Sequence, residues 1–173
     1  MTDPPQPAPW LIDNLDLIRP RGRVLDVASG RGRNALFLAE RGYAVRAVDR
    51  NQSALDTLLE RATSLSRGSI AVEAIDLETG GVSLGHRRYD AVIVFNYLHR
   101  PLIPAIVDAI AGDGVLIYET FTVGQAERGH PKNPAFLLQA GELPTLVAPL
   151  RVVRAREGDV DGRLVASIAA RRE

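Results

Sequence analysis

One continuous segment, residues 23–50, constrains the fold of this chain more than any other. Its sequence, RVLDVASGRGRNALFLAERGYAVRAVDR, contains a short apolar run, a turn with glycines, an amphipathic stretch and a second apolar run that ends on Asp49. The first run, residues 24–28, is interrupted only by Asp26 and is typical of a strand buried on both faces. The segment therefore predicts a strand, a turn, a helix and a second strand, with an acid near the end of each strand.

The glycines of this turn suit a pocket for a nucleotide cofactor. Gly30 and Gly32 allow a sharp turn and the close approach of a ligand, and the helix predicted over about 33–41 begins with unpaired N–H groups. Asp49 comes seventeen residues after Gly32, at the end of the next strand, where a carboxylate can accept hydrogen bonds from both hydroxyls of a ribose. Glycines and acid together indicate a cofactor site more strongly than a glycine motif alone.

Two cofactors fit this pattern. From Gly30 the turn reads GRGRNA, which satisfies the dinucleotide fingerprint with Ala35 as its last position and leaves an NAD(P)-binding oxidoreductase open. Asp26 argues against NAD(P), because its charge would lie beside a pyrophosphate. The same acid favours S-adenosyl-L-methionine, which carries an ammonium and a sulfonium but no phosphate. Arg33 could then pair with the carboxylate of the methionine moiety.

A third acid supports this choice. Asp76 follows the apolar run 70–75, at the predicted end of a third strand, where its carboxylate could accept the amino hydrogens of adenine. Three acids at strand ends suit a cationic nucleoside better than a pyrophosphate. We therefore expect S-adenosyl-L-methionine rather than NAD(P).

With these motifs the chain resembles the class I S-adenosylmethionine-dependent methyltransferases. The resemblance rests on VLDVASGRGR, AVDR, AIDLE, YDAVIVFNYL and GVLIYET, and it extends from about residue 20 to the C-terminus. Within this superfamily the chain is most similar to the tellurite-resistance type of methyltransferase, through GRNALFLAERGY, DLE, GEL and EGDVDGR. Ala28 stands where the family usually has the first glycine of its motif.

The resemblance implies a cofactor site residue by residue. It assigns Asp26 and Gly30 to the methionine amino end, Asp49 to the ribose, and Asp76 with Leu77 to the adenine. The complete set of predicted cofactor-binding residues is Asp26, Ala28, Gly30, Gly32, Arg33, Asn34, Asp49, Arg50, Asp76, Leu77 and Phe95.

The whole chain predicts an α/β, Rossmann-like, doubly wound fold, because strand and helix patterns alternate and such alternation is typical of a parallel sheet. Strands are expected near 23–28, 44–49, 70–75, 90–95 and 114–119, and helices near 33–41, 52–65, 102–110 and 139–147. The last two apolar runs, 150–155 and 164–170, flank the turn EGDVDGR and predict a β-hairpin. We therefore expect a seven-stranded, mostly parallel sheet with a C-terminal antiparallel hairpin.

The N-terminus sets the expected domain boundary. Residues 1–9 are rich in proline and predict a disordered tail, and residues 10–18 predict a short amphipathic helix that could cap the pocket. Residues 10–173 then form a single methyltransferase domain, which is large enough for one α/β core. The exposed face of the N-terminal helix could pair in a homodimer.

Candidate catalytic residues follow the fourth predicted strand. In open α/β sheets the ligand crevice lies at the carboxyl ends of the strands, and here the chain continues into Asn96, Tyr97 and His99. Tyr97 would pack near the sulfonium, Asn96 at a buried strand end would contact the methyl hydrogens, and His99 would be the base for an oxygen or nitrogen acceptor. Each has a structural alternative: Tyr97 could seal the helix that Pro101 begins, and His99 could lie on a surface turn.

The long segment 119–143, ETFTVGQAERGHPKNPAFLLQAGEL, is too polar for a core and too long for a simple connection. It is either a loop that covers an acceptor pocket or an exposed excursion. Under the first interpretation the predicted substrate-binding residues are Arg100, Phe121, Arg128 and Lys132.

Composition limits the partners. The 21 basic and 21 acidic residues give a net charge of zero, which disfavours a large nucleic acid as substrate and with it an RNA methyltransferase. Without Cys and with three scattered His, no metal site is expected. No apolar run is as long as a membrane span, and no signal-peptide pattern begins the chain, so we expect a cytoplasmic protein without a membrane partner.

The expected activity is methyl transfer to a small-molecule acceptor, such as a chalcogen or metalloid oxyanion, a thiol or another small nucleophile. A protein that binds S-adenosylmethionine without turnover is the alternative from a different class, because fold alone does not fix function.

Overall fold

The computed structural model describes residues 6–173. Most of the predicted N-terminal tail, residues 1–5, lies outside this range. Residues 6–9 belong to the fold, because Ala8 is buried and Pro9 begins the first helix. No helix within residues 6–173 is long and apolar enough to cross a membrane.

The described residues contain one sheet of seven strands in the order β3-β2-β1-β4-β5-β7-β6. The strands are β1 (Arg23–Val27), β2 (Ala44–Asp49), β3 (Ser69–Ala74), β4 (Tyr89–Phe95), β5 (Ile110–Phe121), β6 (Arg151–Val160) and β7 (Arg163–Arg171). The pairings among β1 to β5 are parallel, whereas β7 is antiparallel to both β5 and β6. The predicted Rossmann-like sheet with a C-terminal hairpin is confirmed.

Short helices connect and cover the strands. In the described chain they are α1 (Pro9–Asp13), α2 (Arg33–Glu40), α3 (Gln52–Ala62), α4 (Ile103–Asp108), α5 (Gln125–Arg128) and α6 (Glu142–Leu146), with single 3₁₀ turns at Leu15–Leu17, Arg100–Leu102 and Pro134–Phe136. The helix predicted over 10–18 is wrong as one element. The buried Asn14 donates from Nδ2 to the carbonyl of Trp10 at 2.8 Å and ends α1 there.

The hairpin also differs from its prediction in where it turns. Asp161 and Gly162 have φ angles of 52° and 81°, so this pair forms the two-residue connection and the preceding EGD belongs to β6. Positive φ at both central residues suits the right-handed twist of the flanking strands. Strands β6 and β7 are therefore longer than the apolar runs that predicted them.

The core lies on both faces of the sheet. In β4, Val92 and Val94 belong to the apolar cluster that includes α4, whereas Ala91, Ile93 and Phe95 belong to the cluster that includes α1 and α2. Coverage of both faces explains the continuous apolar sequence of this strand. The adjacent strands β1 and β4 are the point where the strand order reverses, and their carboxyl ends form the crevice that such folds use for ligands.

Candidate functional site

The glycine turn between β1 and α2 is held in a left-handed backbone conformation. Ala28, Gly30 and Gly32 have φ angles of 55°, 55° and 75°. A Cβ on Gly32 would lie 2.4 Å from a methyl carbon of Leu58 on α3, so a larger residue there would have to displace the Leu58 side chain as well as adopt a positive φ. Around Gly30 a Cβ would meet nothing within 4 Å, which leaves that side of the turn open to a ligand.

Asp49 fixes this turn from the end of β2. Its Oδ2 accepts a hydrogen bond from the N–H of Gly30 at 2.8 Å, and its Oδ1 accepts one from the N–H of Asn51 at 2.8 Å. A carboxylate offers about four acceptor positions, so the remaining ones can serve a ligand. The strand-end acid therefore has a structural role in addition to its predicted contact with a ribose.

Asp26 is the most unusual carboxylate of the site. It is 3% exposed, and its Oδ2 makes no hydrogen bond to any residue within 6–173. Burial, followed by the negative charge of Asp49, raises the pKa of Asp26 to about 7, against a smaller opposite effect of Arg33. A buried acceptor without a partner is costly in a folded protein, so this oxygen indicates a place for a hydrogen-bonded or cationic group.

Asp76, the third predicted acid, lies apart from the unpaired Oδ2 of Asp26. Asp76 is exposed beyond the end of β3, and its Oδ1 accepts a hydrogen bond from the N–H of Glu78 at 3.0 Å. The neighbouring Leu77 is 5% exposed and packs in the core. Asp76 therefore faces the cleft as a polar group beside an apolar floor.

Two cavities lie along the carboxyl ends of the strands and share Ala28 and Asn96 in their walls. The smaller cavity is about 570 Å³, and the larger cavity is about 770 Å³. Predicted cofactor residues in the wall of the smaller cavity are Asp26, Ala28, Gly30, Gly32, Arg33, Asn34 and Phe95. Those in the wall of the larger cavity are Ala28, Asp49, Arg50, Asp76 and Leu77. The structure thus brings all predicted cofactor residues to one cleft.

Two of these residues also hold the N-terminal segment. Asn34 accepts a hydrogen bond from the N–H of Ala8 at 2.8 Å, and Arg33 donates to the carbonyl of Gln6 at 3.3 Å. Residues before α1 therefore lie beside the smaller cavity, whereas none of residues 10–18, the helix predicted to cap the pocket, lines either cavity.

Asn96 and Tyr97 line the larger cavity, as expected from their position after β4. The interpretation of Asn96 as a buried amide is wrong, because the residue is exposed, with a φ of 56°. Tyr97 is partly buried and receives a hydrogen bond at its carbonyl from Tyr118 Oη at 2.8 Å. Its own Oη is buried without a partner in the described chain, and burial and the charge of Glu78 raise the pKa of Tyr97 to about 12.

His99 is not brought to either cavity. It precedes the Arg100–Leu102 turn, and its carbonyl accepts a hydrogen bond from the N–H of Leu102 at 3.0 Å. This placement matches the structural alternative, a His before a turn. His130, from the long loop, is the imidazole that lines the larger cavity.

The predicted substrate-binding arginines are occupied elsewhere, whereas Phe121 and Lys132 do line the larger cavity. Arg100 makes a bidentate pair with Glu142 at 2.7 and 2.9 Å, and it also donates to the carbonyls of Ala135 and Leu137. Arg128 pairs with Asp159 on β6. The predictions of Arg100 and Arg128 as substrate-binding residues are wrong. Both guanidinium groups form ion pairs between the long loop and its surroundings, and neither lines a cavity.

Several residues of the larger cavity are not among the predicted site residues. They are Ile75, Glu78, Leu98, His130, Pro131, Asn133 and Phe136. The last four belong to the long loop, whose polar composition indicated a binding loop but carried no periodic signal to show which side chains turn inward.

Comparison with solved structures agrees with this description of the fold. The structure of TehB from Haemophilus influenzae superimposes with a TM-score of 0.77 at 20% sequence identity, covering 94% of this chain and 61% of that protein. At this level of identity the likeness shows the fold alone, which is the Rossmann-like sheet described above.

Residues 10–116, more than half of the chain, match the family model described as tellurite resistance protein TehB. The chain belongs to this family, which confirms the resemblance seen in its motifs.

Curated relatives match over shorter stretches. A protein named probable S-adenosyl-L-methionine-dependent methyltransferase TehB, from Haemophilus influenzae, is 27% identical over 97 residues, which are 56% of this chain and 33% of that protein. A protein named hemagglutinin 1, from Eikenella corrodens, is 32% identical over 85 residues, which are 49% of this chain and 28% of that protein. The matched region thus spans about a third or less of the length of these relatives.

Proposed function

We propose that this chain is an S-adenosyl-L-methionine-dependent methyltransferase that acts on a small-molecule acceptor. The observation that carries the proposal is the buried Oδ2 of Asp26, which has no partner within residues 6–173 and lies beside an open glycine turn. An ammonium group there would supply the missing hydrogen bond and neutralise the buried charge.

The donor and acceptor chemistry of the cleft fits the rest of this cofactor. Asp26 and Gly30 would hold the methionine amino end, and Asp49 has unused acceptor positions for a ribose. Asp76 with the apolar Leu77 would hold the adenine. When bound, S-adenosylmethionine supplies a methyl group that passes to a nucleophilic atom of the acceptor as the carbon–sulfur bond breaks and its electron pair stays on sulfur.

The residues of the chain act by position and desolvation rather than as a nucleophile. The carboxyl end of β4 presents Asn96 in the walls of both cavities, where an acceptor and a cofactor would meet, and Tyr97 in the wall of the larger cavity. Alignment of the two reactants and exclusion of water supply most of the acceleration that such a displacement needs. For an acceptor that must lose a proton, His130 is the imidazole in the cavity wall.

An NAD(P)-binding oxidoreductase is disfavoured by the same cleft. The unpartnered carboxylate of Asp26 faces the place that a pyrophosphate would occupy, and two anions there would repel each other. The family description names tellurite resistance, so tellurite belongs in any acceptor panel, beside thiols and other small nucleophiles.

Isothermal titration with S-adenosylhomocysteine tests the cofactor assignment, with NADH titrated in parallel. We expect saturable heat with the first ligand and none with the second. The Asp26→Ala variant should lose about 10- to 100-fold in affinity through loss of a charged hydrogen bond, whereas Asp56→Ala, on the exposed side of α3, should bind like wild type. Binding of NADH alone, or no heat with either ligand, contradicts the proposal.

A further inference from the structure

Besides the predicted cofactor residues, eleven residues line the larger cavity, and six of them are Tyr97, Phe121, His130, Pro131, Lys132 and Phe136. We call these six residues the acceptor chamber; the other five include the amides of Asn96 and Asn133. If the proposed function holds, the other end of the cavity, with Asp49 and Asp76, takes the ribose and adenine, and the chamber is what remains for the molecule that receives the methyl group.

The walls of the chamber are mainly aromatic. Four of the six side chains carry aromatic rings, counting the imidazole of His130, and Phe136 is 41% exposed, one of the few large apolar side chains of the described chain that are not buried. Rings arranged around a cavity bind flat apolar molecules by burial and stacking. A small hydrated oxyanion gains little from the rings themselves, because it needs hydrogen-bond donors to replace its water.

The arginines of the neighbouring elements do not provide those donors. Arg100 is saturated by Glu142 and two carbonyl groups, and Arg128 is paired with Asp159. Lys132, the single lysine of the sequence, is the basic side chain that the loop contributes to the chamber. One ammonium in an aromatic chamber suits an organic anion, which places most of its surface on the rings and its charge at the lysine.

The charged side chains of the larger cavity come from different elements. Asp49, Arg50, Asp76 and Glu78 lie at or after the ends of β2 and β3, whereas Lys132 enters from the long loop. The lysine is therefore the cation that the loop contributes to the chamber.

The loop that carries the chamber is fastened at several points. The N–H of Leu138 donates to the carbonyl of Phe121 at 2.9 Å, and the N–H of Ala135 donates to Asn133 Oδ1 at 3.0 Å beside Phe136. Gln125 donates to the carbonyl of His130 at 3.3 Å. The backbone that carries the rings is thus hydrogen-bonded before a ligand arrives, which lowers the entropic cost of binding.

From this arrangement we propose that the acceptor is a flat aromatic molecule with an anionic substituent. Its ring packs on Phe121 and Phe136, its anionic group pairs with Lys132, and its nucleophilic atom is directed toward Tyr97 and the junction of the two cavities. This places the acceptor in a different chemical class from a metalloid oxyanion.

The test uses 2-naphthoate as the probe and the full chain saturated with S-adenosylhomocysteine, whose own binding is measured first. Calorimetry should give saturable binding of 2-naphthoate, binding at least about fivefold weaker for the neutral 2-naphthalenemethanol, and no heat for tellurite. Phe136→Ala should weaken 2-naphthoate about tenfold through lost apolar contact. Lys132→Gln should reduce its affinity to that of the neutral compound, and Lys132→Arg should restore it.

Leu59→Ala is the matched control for Phe136→Ala, because Leu59 is an equally exposed apolar residue on α3 that lines neither cavity. All variants should keep wild-type affinity for S-adenosylhomocysteine, which shows that they are folded. The proposal is overturned if 2-naphthoate gives no saturable heat, if the two chamber variants bind it like wild type, or if tellurite binds and competes with it. Failure of S-adenosylhomocysteine to bind would instead refute the proposed function.

Discussion

The carboxylate of Asp49 is hydrogen-bonded directly to the glycine turn: its Oδ2 accepts a hydrogen bond from the N–H of Gly30 at 2.8 Å. The acid at the end of β2 therefore positions the turn after β1, and a second bond to the N–H of Asn51 extends this support to the start of α3. The two halves of the fingerprint, glycines and acid, are thus parts of one hydrogen-bonded unit.

Replacing Asp49 by Ala should weaken binding of S-adenosylhomocysteine by about 1–3 kcal/mol, since both a ligand contact and the support of Gly30 are removed. Asp49→Asn keeps the size of the side chain and one carbonyl acceptor, so it should lose less. Calorimetry on both variants measures the difference, with Asp56→Ala as the control on an exposed face. Wild-type affinity in Asp49→Ala would remove this residue from the site.

Cofactor affinity should depend on pH through Asp26. Burial raises the pKa of this carboxyl to about 7, so it is largely protonated at pH 6 and ionised at pH 8. An ammonium group pairs with the ionised form, and the affinity for S-adenosylhomocysteine should therefore rise as pH increases through about 7. Titrations from pH 5.5 to pH 8 should show this rise in wild type and a flat profile in Asp26→Asn.

The stability of the ligand-free protein should fall as pH rises, whereas cofactor affinity rises. In the unfolded chain the carboxyl of Asp26 ionises near the ordinary aspartate pKa of 3.8, whereas the folded protein holds the proton up to about 7. Folding therefore favours the protonated form, and the stability that comes from it is lost as pH rises from about 4 to about 7. Urea unfolding at pH 5 and pH 8 should show that Asp26→Asn removes this loss, and equal pH dependence in both proteins would contradict it.

Much of the fold was predictable, because the apolar runs have the lengths of buried strands and the glycines and prolines mark their ends. The predicted runs at 44–49 and 90–95 lie within one residue of β2 and β4. The break in the helix predicted over 10–18 was not predictable from apolar spacing alone, since it depends on a side-chain hydrogen bond from Asn14 to the preceding turn. The strand lengths of the hairpin depend on a two-residue turn, which strand patterning does not locate.

The cofactor side of the site was more predictable than the acceptor side. Asp26 and Asp49 lie in the last two residues of β1 and β2 and Asp76 lies just beyond β3, and parallel strands end at one edge of a sheet. Residues of the long loop have no such constraint. Lys132, which has no ion-pair partner within residues 6–173, and Arg100, which is paired, are both simply basic residues in the sequence. Only the position of Glu142 in the folded chain distinguishes them.

Ala28→Gly should stabilise the protein. Ala28 occupies a left-handed conformation with a φ of 55°, at the position where the family motif usually has glycine. Relief of this strain, less the greater freedom of glycine in the unfolded chain, should add roughly 0.5–1 kcal/mol to the free energy of unfolding. Ala35→Gly, in the regular helix α2, is the matched control and should lower it by about 1 kcal/mol. Equal losses in both variants would show that Ala28 is unstrained.

The Arg100–Glu142 ion pair should contribute to the free energy of unfolding and to binding in the acceptor chamber. It should not affect cofactor binding. Arg100 joins the end of β4 to the loop through a bidentate ion pair and two carbonyl groups. Arg100→Ala should lower the free energy of unfolding by about 1–3 kcal/mol and weaken 2-naphthoate, because the loop loses its anchor, with unchanged affinity for S-adenosylhomocysteine. A double-mutant cycle with Glu142→Ala should give a coupling energy above about 0.5 kcal/mol, whereas the exposed pair of Arg151 and Glu173 should give less. Weaker 2-naphthoate binding with no loss of stability would instead return Arg100 to the role of a direct substrate ligand.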